Sequence, residues 1–260
     1  MEDILELQDL PYGHVSYSQV NMYKRCPMQW KFRYLDGLIM PIKSSLVIGP
    51  SVHEGLTEGF NTKLTSGGDD VKIVNLIKEK TAYEVEKIVA EKEIQYEEGE
   101  TKEVIKDDAV KMSEVYYREV GKKIKPVEVK KPFEITFKNT DWKLVGEIDI
   151  VTDDLIDWKT GRQKLNEEYI VYDEQLKIYK IVVPKKPVIH QIVRYRKQDP
   201  KIFIYETDYN EKVLQDTLQN IAAIVQLMRT GIVYKRNDAR YCSWCGYRDI
   251  CQPQFNEGGK

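Results

Sequence analysis

No run of apolar residues in this 260-residue chain approaches the length that spans a bilayer, which is ~18–20 residues. The opening stretch, Met1 to Glu6, is acidic and lacks the basic and apolar segments of a secretory signal, so a soluble, cytoplasmic protein is expected. No G-x-x-x-x-G-K-[ST] sequence occurs, which removes the phosphate loop of motor ATPases. No repeat of about 20–50 residues is visible, which removes solenoids. Histidine is scarce, at three. Cysteine, at four, is too sparse for a disulfide scaffold, so in a reducing compartment the four positions need another reason. The net charge of -2, from 40 Lys and Arg against 42 Asp and Glu, gives no global pull on nucleic acid, but a total is silent on distribution. Charged residues are abundant, at 32%, where an ordinary soluble domain has roughly 25%. Seventeen Tyr and four Trp argue against disorder.

The pattern along the chain changes once. Ser16-Tyr17-Ser18-Gln19 has the form of a capping box and opens a helix reaching Arg25. Pro27 opens a second, which Asp36-Gly37 ends, and a third is expected after Gly49-Pro50, carrying His53. Beyond the linker Gly67-Gly68-Asp69-Asp70, the apolar spacing predicts helices over 71–93 and 102–122, with an acidic segment between them. From Val127 the period becomes that of strands: 127–137, 142–151, 155–158, 188–196 and 202–206, with helices at 165–182 and 209–230. The fold class expected is α/β (α+β). The segments are N-terminal helices (1–66), a helical insertion (67–126), a core (127–235) and a Cys-rich C-terminal segment (236–260).

The segment Gly146 to Gly161 holds the most chemistry. Residues i and i+2 of a strand share a face, so Asp157 and Lys159 point the same way. A tight turn at Thr152-Asp153-Asp154 sets Asp149 opposite Asp157, with Cβ atoms roughly 4.5–5.5 Å apart. Two facing carboxylates are destabilising without a positive charge between them. A hard, oxygen-seeking cation such as Mg²⁺ or Mn²⁺ meets that need, and Lys159 adds a mobile one. A D-x-K sequence by itself is common and equally describes a solvated hairpin, but here Leu155, Ile156 and Trp158 surround Asp157.

Together with two further elements this pattern resembles the PD-(D/E)xK nuclease superfamily in its RecB-like branch. The matching residues are His53 in Gly49-Pro50-Ser51-Val52-His53, Gly146-x-x-Asp149, Asp157-Trp158-Lys159-Thr160-Gly161, and Gln175-x-x-x-Tyr179. The resemblance implies a restriction-endonuclease-like core sheet flanked by helices. It implies metal binding by His53, Asp149, Asp157 and the Trp158 carbonyl, Lys159 as catalytic lysine, and Gln175 and Tyr179 completing the site. The implied activity is Mg²⁺- or Mn²⁺-dependent hydrolysis of DNA by an exonuclease acting on single strands or ends, in bacterial or phage recombination or repair. A nuclease trimming spacer precursors in CRISPR adaptation and a non-catalytic DNA-binding subunit are the alternatives.

Cys26 stands 216 residues before Cys242, Cys245 and Cys251, which form C-x2-C-x5-C. Four thiolates suit a 4Fe–4S cluster or zinc. The one-plus-three spacing is similar to the iron–sulfur subset of RecB-like nucleases, which implies a 4Fe–4S cluster acting as a structural staple. Between Lys177 and Lys201 lie eight basic residues (Lys177, Lys180, Lys185, Lys186, Arg194, Arg196, Lys197, Lys201) and one acid, a net of +7. Such a strip can contact DNA phosphates, with Tyr172, Tyr179 and Tyr195 available to stack on bases. It can equally guard exposed strand edges against aggregation. A second basic cluster, Lys24, Arg25, Lys31 and Arg33, borders Cys26.

Overall fold

The computed structural model describes residues 9–138, 140–236 and 238–251. Met1 to Glu6 and the part of the Cys-rich segment beyond Cys251 lie outside the described residues. In chain order the elements are β1 (His14–Ser16), α1 (Tyr17–Arg25), α2 (Pro27–Tyr34), β2 (Ile42–Lys43), α3 (Ser45–Ser66), α4 (Asp70–Glu91), β3 (Ile94–Gln95), α5 (Lys102–Glu119), β4 (Glu128–Thr136), β5 (Lys143–Val151), β6 (Asp154–Gly161), α6 (Glu167–Tyr172), α7 (Glu174–Val182), β7 (Lys186–Tyr195), β8 (Gln198–Glu206), α8 (Glu211–Arg229), α9 (Ala239–Cys242) and α10 (Arg248–Cys251). Among the described residues no helix is long and apolar enough to cross a membrane.

The chain forms two compact units, neither continuous in sequence. The larger comprises Pro41–Pro132 and Glu147–Asn210; the described part of the smaller comprises residues 9–40, 133–138, 140–146, 211–236 and 238–251.

The larger unit is a mixed α/β structure. The end of β5 pairs antiparallel with β6, with Ile150 opposite Ile156 and Val151 opposite Leu155. A parallel pairing joins β6 to β7, from Asp154–Lys186 to Gly161–Val193, and β7 pairs antiparallel with β8. The parallel step needs a crossover, which α6 and α7 supply. One sheet face presents Ile150, Ile156, Trp158 and Ile192 to a core completed by Val52, Leu56 and Phe60 of α3, Ile73, Ile77 and Val85 of α4, and Ile105, Met112 and Tyr116 of α5. Alternation turns Asp149, Asp157 and Lys159 to the opposite face.

The smaller unit joins β1 in parallel to the start of β5, with Val15 beside Leu144. Ser16 caps α1 by accepting from the Gln19 N–H, as the S-x-x-Q pattern predicts. The Tyr23 hydroxyl reaches the Leu227 and Ile232 carbonyls, and the Arg229 guanidinium clamps Asp141.

Differences from the sequence reading have local causes. The single helix expected at 165–182 is two, because the Asp173 carboxylate accepts from the Gln175 and Leu176 N–H groups and starts α7 afresh. The helix carrying His53 starts before Gly49-Pro50, with Pro50 one turn inside it. A proline near a helix start forfeits a single N–H bond. Strand β8 begins four residues before Ile202 and admits Pro200, which an edge strand tolerates.

The tightest packing is between α3 and α4. A Cβ on Gly55 would lie 1.9 Å from Thr81 Oγ1 and 2.9 Å from the Ile77 carbonyl oxygen, and one on Gly59 would lie 2.4 Å from Ile77 Cγ1. Alanine normally improves a helix by about 1 kcal/mol over glycine. Gly55→Ala is nevertheless expected to destabilise the protein, by about 1–3 kcal/mol, because the carbonyl cannot move aside. A urea titration checks this, and stability equal to or above that of the parent would contradict the close approach.

Candidate active site

Five elements supply the site: α3, β4, the two strands of the β5–β6 hairpin and α7. The register that pairs Ile150 with Ile156 continues by count to Asp149 opposite Asp157. Both carboxylates are buried, at 5% and 2% exposure, where an unpaired charge would be costly. Asp149 is well provided for. Its Oδ2 accepts from the Trp158 N–H at 2.9 Å, and its Oδ1 lies 3.1 Å from Lys130 Nζ and 3.3 Å from His53 Nδ1. Burial alone would raise its pKa, but these partners hold the carboxyl below the ordinary range.

Asp157 is treated differently. Its Oδ2 stands 2.8 Å from the Lys159 ammonium. This buried oxygen depends on that ion pair. Burial, with the Asp149 charge facing it, pushes its pKa up against the pull of Lys159. Burial would lower the Lys159 pKa, but Asp157 and its neighbours win and keep the ammonium charged.

Lys159 is also fixed from the helix side. Its ammonium donates to Gln175 Oε1 at 2.8 Å, Gln175 Nε2 donates to the Tyr179 hydroxyl at 2.7 Å, and that hydroxyl donates to the Glu147 carbonyl at 2.9 Å. Residues i and i+4 on α7 thus act as one brace between β6 and β5. The buried Asp173 that caps α7 sets the start of this brace.

Two residues of the site, Asp173 and Lys130, escaped the sequence reading. Lys130 sits in β4 with φ of 51°, a left-handed conformation uncommon for any residue but glycine, and its ammonium bridges Asp149 and Glu147 at 3.1 and 3.2 Å. Its strand carries several lysines, and nothing in the spacing marks this one. The strained backbone aims it.

The donor set suits a hard divalent cation, with two carboxylates, an imidazole and a carboxylate oxygen that lacks a hydrogen bond. Among the described residues, however, no group of three or more His, Cys, Asp or Glu side chains converges on one point. In their place two ammonium groups stand against the carboxylates.

The four cysteines belong to the smaller unit. None is in a disulfide, each is half-buried, and all four line one small cavity. Burial and the neighbouring thiols push the Cys245 thiol up. The donor chemistry fits a soft metal or cluster, with the thiols around a common space but not drawn together as ligands.

The basic strip is not a free surface. Lys177 is buried over the Tyr209 ring, Lys180 pairs with Asp208, Lys186 with Glu206, and Lys185 donates to the Thr152 carbonyl. Arg194 pairs with Glu100 and Asp108, and Arg196 donates to the Glu98 carbonyl. Lys201 lies over the Tyr195 ring, while Lys197 is exposed. The acidic segment before α5 therefore faces this strip. Burial would raise the Glu100 pKa, yet Ser44 and Arg194 bring it down to about 2.

The fold is a mixed α/β sheet braced by helices, and it holds a buried carboxylate pair with an attendant lysine. The chain belongs to the PD-(D/E)XK nuclease superfamily, whose sequence model matches residues 14–252. The crystal structure of a candidate exonuclease from Eubacterium rectale is similar in fold, with a TM-score of 0.56 at 11% identity, over 87% of this chain and 85% of that one. The structure of SSO0001 aligns over 82% of this chain and 86% of its own at 14% identity, but with a TM-score of 0.34 it carries no weight. No curated protein sequence matches the chain.

Lys130→Met is expected to cost about 1.5–3 kcal/mol of unfolding free energy, because Asp149 loses a charged donor while buried. Guanidinium titrations without divalent cations measure this, and a change within error would remove Lys130 from the site.

Proposed function

We propose that the chain is a divalent-metal-dependent deoxyribonuclease, an exonuclease acting on single-stranded DNA or DNA ends in recombination or repair. The observation that carries this reading is the facing pair Asp149 and Asp157 with a charged Lys159 braced by Gln175 and Tyr179. His53, Asp149, Asp157 and the Trp158 carbonyl would hold the metal. Mg²⁺ or Mn²⁺ would supply charge stabilisation to the phosphodiester.

The chain's own groups do the rest. The hydrolysis forms a bond from a water oxygen to phosphorus and breaks one P–O ester bond, with the departing oxygen taking up a proton. Lys159 is an ammonium, so its part is to stabilise charge growing on the phosphate and to orient water, rather than to accept a proton. Gln175 and Tyr179 hold that ammonium at a fixed point, and such placement is worth much of a catalytic barrier.

The same reading assigns Cys26, Cys242, Cys245 and Cys251 to a 4Fe–4S cluster serving as a staple. Its support is the donor chemistry and the shared cavity.

Asp157→Ala and Lys159→Ala are each expected to abolish cleavage of end-labelled single-stranded DNA with Mn²⁺ or Mg²⁺ while binding persists. Undiminished cleavage by either variant would sink the site. Protein purified without oxygen is expected to be brown, with about four irons per chain. A colourless preparation with stoichiometric zinc would replace the cluster by zinc.

A further inference from the structure

The smaller unit carries a second place suited to nucleic acid, on the Cys-rich segment rather than on the 177–201 strip. A pocket of about 310 Å³ opens there, bordered by three of the four cysteines, Cys26, Cys242 and Cys245, with Arg25, Arg236, Arg240, Tyr241 and Trp244 forming the rest of its wall. That volume is at the low end of the about 300–1,000 Å³ typical of ligand pockets. Two guanidiniums flank one ring: the Cζ of Arg236 is 3.9 Å and that of Arg240 is 5.1 Å from the Tyr241 centroid. Arg236 also donates to the Arg25 carbonyl at 2.9 Å, tying the Cys-rich segment to the end of α1.

Charge distinguishes this pocket from the strip. Five of the strip's eight basic residues, Lys180, Lys185, Lys186, Arg194 and Arg196, already face carboxylates or carbonyls. Among the described residues, Asp238 approaches Arg236 at 3.8 Å and no carboxylate pairs with Arg25 or Arg240. Guanidiniums packed against an aromatic ring keep their N–H groups available for phosphate oxygens. Trp244 is 73% exposed beside them, whereas Trp30, Trp142 and Trp158 are buried. A large exposed ring next to these arginines suits alternating bases and phosphates. A duplex keeps its bases within the stack, so an exposed indole selects for unpaired ones.

We propose that this pocket binds single-stranded DNA, with Trp244 stacking on a base and Arg25, Arg236 and Arg240 contacting phosphates. The proposal deepens the nuclease reading, resting on it for the identity of the nucleic acid, but it is tested by binding alone.

The test uses the full chain, purified without oxygen, with fluorescein-labelled oligothymidine and no added divalent cation. Trp244→Ala is expected to weaken binding roughly tenfold, within the range for loss of one base stack. Arg25→Ala with Arg240→Ala is expected to flatten the dependence of log affinity on log salt, by roughly 0.7 for each phosphate no longer neutralised. Metal content and melting temperature should match the parent. Trp244→Phe keeps a stacking ring, so it should bind nearly as the parent while losing the quenching of tryptophan emission by the oligonucleotide. This variant keeps the test decisive where the alanine variants fold poorly. Parent-like affinity and salt dependence in the folded variants, or quenching that persists in Trp244→Phe, overturns the proposal. Absent DNA cleavage by the parent is a separate outcome, which sinks the nuclease reading and leaves the binding result standing.

Discussion

Two carboxylates that face each other across adjacent strands, both nearly sealed from water, are the constraint on which the larger unit is organised. A pair of like charges in that position repels, and each must find a counter-charge or give up its own. The chain resolves this unequally. Asp149 receives a backbone N–H, an imidazole and the Lys130 ammonium, while Asp157 receives one ammonium from Lys159. The two environments therefore push the carboxyls in opposite directions, the usual sign of groups with different tasks. Much else follows from keeping these cations in place. Lys159 needs Gln175, Gln175 needs Tyr179, and both need α7 to begin at Asp173.

The core of this arrangement could be read from the sequence because it depends on short-range periodicity. Strand alternation and a tight turn suffice to set Asp149 against Asp157, and helical spacing suffices to align Gln175 with Tyr179. Asp173 was hidden because a capping carboxylate looks like any other acid within a helical run. Lys130 was hidden for a different reason. Its reach to Asp149 depends on a left-handed backbone inside a strand, and no residue pattern announces that. The short strands β1, β2 and β3 offer too few residues for a period to show.

Charge shows the limit of counting along a chain. A net of +7 between Lys177 and Lys201 suggests a surface for polyanions, and an acidic segment elsewhere suggests a separate pole. In three dimensions the two meet. Glu97 and Glu100 reach Arg162, Glu100 and Asp108 hold Arg194, and the Glu98 carbonyl holds Arg196. Near-neutral composition here reflects pairing within one unit rather than two opposed faces. Positive charge without a carboxylate partner must then be sought elsewhere, and among the described residues Arg25 and Arg240 beside the cysteines are such groups.

The division of the chain gives the cysteines their physical sense. The smaller unit is assembled from three stretches separated by long excursions into the larger one, so its folding must bring together residues more than two hundred positions apart. Closing such loops costs entropy that grows only slowly with length, but the cost recurs at each return of the chain. Among the described residues of the Cys-rich segment, α9 and α10 have four residues each and bury none, and Tyr247 between them is buried beside Phe32. Helices that short cannot hold themselves. Their attachment includes polar contacts, such as the Tyr247 hydroxyl on the Leu38 carbonyl, Lys235 on the Cys251 carbonyl and Arg236 on the Arg25 carbonyl. The shared ligand proposed for Cys26, Cys242, Cys245 and Cys251 would act on the same seam. It would restrain the unfolded chain where the short helices of the folded one bury no residue, and this is the condition under which metal or cluster ligation contributes most to folding.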